Sequence, residues 1–130
     1  EKNLFPACLK RGVGVIARCP LDEGGLTGKL TPKTVFVEGD FRRRYFKGKR
    51  LAETVERVDK LKFLIRDDIR SIAHGALKFV LSHPAVSTTI PGMRRAEHVE
   101  ENVRVSDGAS LPKDLLEELK RHAWPRNFYG

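Results

Sequence analysis

A parallel α/β fold is what this sequence predicts, on three observations: an apolar run at residues 13–18, a second at residues 85–90, and two amphipathic helical stripes between them. Two parallel strands need a long crossover, and helices are its usual form. Neither run alternates apolar and polar residues as a half-wetted sheet would, so both strands are expected to be covered on both faces.

Taken in order, Asn3 to Lys10 read as a helix ahead of the first strand, with no strand before it. Gly12 and Pro20 bound that strand, and Gly24-Gly25 marks a turn after it. Residues 29–50 read as a long loop, punctuated by Pro32, Gly39 and Gly48. Leu51, Val55, Val58, Leu61 and Ile65 then form one helical stripe, and Ile69, Ile72, Ala73, Ala76, Leu77 and Val80 form a cleaner one at helical spacing. In the second strand, Ala85 to Ile90 are short, β-branched and almost uncharged. Pro91 ends it, and Gly92 offers a backbone path that other residues resist. Glu97 to Val105 carry Val99 and Val103 at i,i+4 spacing on a fourth helix, and after Gly108 a last helix runs from about Pro112 to Arg121, with proline suited to its first turn. Residues 123–130 form an aromatic tail.

The 130 residues suffice for one ordinary domain with a modest core. No apolar run is long enough to cross a membrane and no signal peptide stands at the start, which leads to the expectation of a cytoplasmic chain. Cys8 and Cys19 are too few and too far apart for a disulfide framework or a metal site. A net charge of +8 favours anionic ligands. The stretch Phe41 to Arg50, arginine- and lysine-rich with interleaved aromatics, has the chemistry to bind a nucleic-acid backbone, although a solvated loop explains it as well.

The most informative stretch is Val86 to Asn102, where a strand leads through a basic turn into a helix. None of residues 92–95 is Ser, Thr, Asp or Asn, so the helix has no evident side-chain cap for its free N–H groups, and Arg94 and Arg95 sit beside them. A bound anion would satisfy both features.

Ile90-Pro91-Gly92 followed by Glu97, Glu101 and Asn102 resembles the end of the barrel in the aldo-keto reductase family, NADP-dependent carbonyl reductases. A second likeness runs from Gly12 to Lys29 and is similar to that family's seventh strand and the loop over the cofactor pyrophosphate. It continues through Ala76 to Pro84 and extends over essentially the whole chain, matching the C-terminal half of such an enzyme. The resemblance implies a partial (β/α)8 TIM barrel: the last two strand–helix units plus a C-terminal helix, over residues 1–130, with 29–50 a long loop and 123–130 a tail. For NADP it implies that Pro20, Leu21, Gly24 and Leu26 meet the pyrophosphate, chiefly through backbone N–H groups, since Asp22 and Glu23 bring negative charge there. It implies that Gly92, Arg94 and Arg95 meet the 2′-phosphate, and that His98, Glu101 and Asn102 meet the adenosine. His98 departs from the arginine or glutamine usual at its position, and Met93 from a small or polar residue.

The family's Asp, Tyr, Lys and His catalytic set belongs to the other half of its chain, so no catalytic residue is assigned; Tyr45 and Tyr129 stand outside that motif. A barrel typically needs about 250 residues, and a self-contained chain of this length is expected to be inactive. Three readings follow, in order of support. The first is the cofactor-binding part of a reductase acting on a small carbonyl substrate, with a preceding half supplied elsewhere. The second is a non-catalytic half-barrel that self-associates. The third is a basic nucleic-acid-binding module.

Overall fold

The computed structural model describes residues 2–125 and 127–129. Six helices accompany a two-stranded parallel sheet among these residues: α1 (Leu4–Arg11), β1 (Val15–Arg18), α2 (Phe41–Tyr45), α3 (Arg50–Asp59), α4 (Ile72–Leu81), β2 (Val86–Ile90), α5 (Ala96–Val103) and α6 (Lys113–Arg121), with 3₁₀ turns at Asp22–Thr27 and Lys62–Leu64. None of these helices is long and apolar enough to cross a membrane.

Local chemistry sets several boundaries. Gly12 closes α1 in the left-handed conformation, its N–H donating to the Cys8 and Leu9 carbonyls. Ser71 caps α4, its Oγ accepting from the His74 N–H at 3.1 Å. Pro112 stands one position ahead of α6, at the cap. Within the loop at 29–50, expected to be irregular, Asp40 starts the short helix α2 by accepting from the Arg42 N–H at 2.9 Å. The expected long loop is therefore interrupted by a helix.

β1 and β2 pair in parallel, Val15 beside Val86 and Arg18 beside Ile90, with an irregularity after Val15. Thr89 Oγ1 adds a bond to the Ala17 carbonyl at 3.0 Å. The strands are not covered on both faces as expected. Ile16 is 64% exposed and Ile90 57%, while Val15, Ala17, Val86 and Thr89 are half-buried. α4 packs against β2, and two strands flanked by one helical layer leave a face and the outer edges without cover.

The core lies among the helices instead. Leu64, Ile69, Leu111 and Leu115 are each at most 3% exposed and pack together, with Leu61, Phe63, Leu116 and Leu119 around them. α4 matches its predicted stripe: Ile72, Ala76 and Leu77 are buried. α3 departs from its own, because it stops at Asp59 and the following 3₁₀ turn shifts the phase. Leu64 is buried as a result, and Ile65 points outward at 48% exposure. Ile69 belongs to the core but precedes α4. Cys8 and Cys19 are both free thiols.

Candidate functional site

In a parallel sheet, the loops after adjacent strands leave from the same end, and ligand clefts form where they part. The segment after β1 and the segment after β2 therefore face one cavity of about 1050 Å³. Pro20, Leu21, Gly24, Gly92, Arg94, His98, Glu101 and Asn102 all line it, so the fold brings the two sequence-predicted halves of the site together. Leu26 and Arg95 are not among its lining residues.

The turn after β1 is conformationally strained. Cys19, Asp22 and Glu23 have φ of 52°, 52° and 54°, left-handed values that cost non-glycine residues roughly 1 kcal/mol or more each. Side chains hold it there. The Tyr45 hydroxyl donates to Asp22 Oδ1 at 2.5 Å, the Tyr129 hydroxyl donates to Glu23 Oε1 at 2.9 Å, and Cys19 Sγ lies 3.4 Å from the same Glu23 oxygen. Desolvation, then bonding to Cys19 and Glu23, pushes the Tyr129 phenol above its ordinary range, so that hydroxyl remains a donor. Asp22 and Glu23, which the sequence placed awkwardly beside an anion, thus serve as anchors for two tyrosines. Gly25 is buried against α3, and a Cβ there would lie 2.6 Å from Asp22 Oδ2 and 3.1 Å from Thr54 Cγ2.

This turn corrects one expectation. The N–H groups of Gly24 and Leu26 both donate to the Leu21 carbonyl, at 2.9 and 3.1 Å, so they are committed inside the turn instead of facing a phosphate.

Residues 37–42 supply the opposite rim, with Val37, Glu38, Gly39, Asp40 and Arg42 lining the cleft. Arg42 grips the Asp40 carboxylate through Nε at 3.1 Å and Nη2 at 2.6 Å. These hydrogen bonds, with the Arg94 charge contributing, lower the Asp40 pKa to about 2. The aromatics of Phe41 to Arg50 pack internally: Phe36 stacks on Phe46, Tyr45 contacts Phe128 and Tyr129, and Tyr45 and Phe46 are buried. Arg50 donates to the Phe128 carbonyl at 3.1 Å and lies over its ring. Phe41, Tyr45 and Arg50 of this stretch therefore join the loop to the tail.

At the second rim, Arg95 occupies the cap position of α5 and no side chain caps the helix, as predicted. Arg95 pairs with Glu97 at 3.1 Å, on the exposed surface. Arg94 lines the cleft, and among the described residues it has no carboxylate within ion-pair distance. Asn102 donates from Nδ2 to the Gly92 carbonyl at 3.3 Å, which ties the turn to the helix that follows it. Gly92 itself does not adopt a left-handed φ, and a Cβ there would meet nothing within 4 Å. Contrary to expectation, its backbone path is open to other residues.

The sequence missed several lining residues: Cys19, Lys29, Asp40, Arg42 and His74. Asp40 carried a visible signal, an Asp just ahead of a possible helix. His74 carried another, an imidazole within the apolar run from Ile72 to Leu77.

Sheet and cleft together define an α/β protein with a cleft at the carboxyl ends of its strands. The chain belongs to the aldo/keto reductase family, whose model matches residues 1–123. A Schizosaccharomyces pombe aldo-keto reductase whose name specifies NADP(+) is 27% identical over 114 residues, covering 82% of this chain and 34% of that protein. An Escherichia coli methylglyoxal reductase, named as NADH-specific, is 26% identical over 127 residues, covering 93% of this chain and 39% of that one. Among solved structures, the glycerol dehydrogenase of Gluconobacter oxydans superposes with a TM-score of 0.80 at 24% identity, over 93% of this chain and 37% of its own, a likeness of fold. This chain thus spans little more than a third of the length of these relatives.

Proposed function

We propose that this chain is the C-terminal part of a (β/α)8 reductase barrel and holds the adenosine end of NADP(H), with reduction of a small carbonyl compound carried out by the complete barrel. The observation that carries the proposal is the convergence of the β1 and β2 exits on one cleft, lined by Arg94 and His98 on either side of the uncapped start of α5. An anion there would meet a guanidinium and free helix N–H groups at once. Family membership supports a nicotinamide cofactor, and the exposed strand face supports completion of the barrel by further strands. Without the first-half catalytic residues, the 130 residues bind and orient cofactor but do not reduce carbonyls.

The two named relatives differ in cofactor, so preference rests on this chain's own residues. Arg94 is the residue that favours NADP, through the extra phosphate, while Arg95 is occupied by Glu97. Calorimetric titration with NADP+, NAD+ and 2′,5′-ADP tests this. The expected outcome is tighter binding of NADP+, with Arg94→Ala removing most of the preference and Arg95→Ala little of it. Equal binding of the two dinucleotides by the unmodified chain would overturn it.

A further inference from the structure

His74 lies on α4 and is 6% exposed, and neither of its ring nitrogens has a hydrogen-bond partner among the described residues. Burying an imidazole with both nitrogens unpaired is costly, and such groups ordinarily find partners. Its main-chain N–H is spoken for by Ser71, and the residue belongs to the wall of the cleft with Ala73 and Leu77, its two ring nitrogens shielded from the open space while the cleft is empty. His98 and Glu101 line the same cavity from α5, while Arg94 marks its cationic rim. The wall around His74 is thus part imidazole and part aliphatic, in contrast to the charged rim. That suits an uncharged, planar ring able to donate and accept hydrogen bonds.

We infer that His74 is a ligand-binding residue, whose neutral imidazole hydrogen-bonds the base of the nucleotide held in this cleft. The inference rests on the nucleotide reading above and adds a contact from α4, an element to which the sequence assigned no binding role. A neutral ring presents one donor and one acceptor, so a base edge relieves at least one of the two orphaned nitrogens once a turn of the ring brings that nitrogen to the cleft surface. The charges acting on the ring are Lys78, Asp68 and Asp107 on one side and Glu101 on α5, and desolvation with Lys78 keeps the imidazole below its ordinary pKa and hence neutral near pH 7.

The test uses the whole chain and two probes, 2′,5′-ADP and inorganic phosphate, by calorimetry. His74→Leu removes the unpaired nitrogens without opening a cavity, so its unfolding midpoint should equal or exceed that of the unmodified chain. Its affinity for 2′,5′-ADP should fall about tenfold, the size of one lost buried hydrogen bond, while phosphate binding is unchanged. His74→Gln, which keeps a donor and an acceptor, should recover part of the loss. Arg94→Ala should weaken both probes. In ¹⁵N spectra of the imidazole, the His74 signals should move on adding 2′,5′-ADP and stay in place with phosphate. If 2′,5′-ADP binds the unmodified chain and His74→Leu equally, or leaves those signals in place, the inference fails and the nucleotide site stands. If 2′,5′-ADP does not bind at all, both fail.

Discussion

The helical layer and the strand layer of this molecule both carry large aliphatic side chains, and these end in opposite states. Leu77 on α4 is 1% exposed, and Leu64 and Leu115 are 2%. Ile16 and Ile90 on the adjoining sheet are more than half exposed, and Val13 just ahead of β1 is as well. The helices close on one another because α6 returns to cover the segment from Leu61 to Ile69. Among the described residues, the strands have one helical layer behind them and an open face on the other side. Hydrophobicity thus states what a residue can bury, while cover depends on how many elements are present to supply it.

That contrast predicts where substitutions will count. Leu77→Ala should cost about 2–5 kcal/mol of unfolding free energy, as truncations in packed cores do, and a cost below about 1 kcal/mol by denaturant titration would mean that the helical layer is looser than described.

A smaller effect should come from the polar flaw within that layer. Burial lowers the His74 pKa below its reference value of 6.5. Between the folded pKa and 6.5 the unfolded chain therefore binds more protons than the folded one, so stability rises with pH through that window and falls as pH drops below about 6.5. Unfolding midpoints measured across this range should show that slope for the unmodified chain and a flatter one for His74→Leu. Identical slopes would place the acid sensitivity elsewhere.

The smallest effect on folding should be on the sheet. Ile16→Ser changes an exposed position and should stay within about 0.5 kcal/mol. Its consequence should appear in association, because an open apolar face with unpaired edges recruits a second copy. Light scattering at micromolar concentration should report a dimer or larger species, shifted toward monomer by Ile16→Asp with Ile90→Asp. A monomer in the unmodified chain would break the comparison.

How far the sequence reached follows the same division. α4 was legible because Ile72, Ala76 and Leu77 repeat at the helical period and each is buried. The stripe through Ile65 slipped because a 3₁₀ turn has fewer residues per turn than the helix before it, a change of pitch that apolar spacing does not register. α2, at five residues, is too short for any periodicity to show. Within the candidate site, the β2 exit was the clearer half: Arg94, His98, Glu101 and Asn102 follow one short turn and one helix, so their spacing in sequence is their spacing in space. Leu26 and Arg95 do not line the cleft: the Leu26 N–H turns back to Leu21, and Glu97, two residues on, takes the Arg95 guanidinium. Asp40, Arg42 and His74 reach the cleft only through tertiary folding, from segments that nothing local ties to it.

The bond from Tyr129 to Glu23 joins residues 106 positions apart. On the ribosome, Glu23 leaves the exit tunnel long before its clasp has been made, at about 5–20 residues per second. Throughout that interval, the strained turn lacks the hydroxyl that fixes Glu23, and Asp22 has its own clasp as soon as Tyr45 emerges. The turn is thus assembled in two stages, its Asp22 half early and its Glu23 half last, and a nascent chain halted before Tyr129 carries the cleft with one of its walls unfinished.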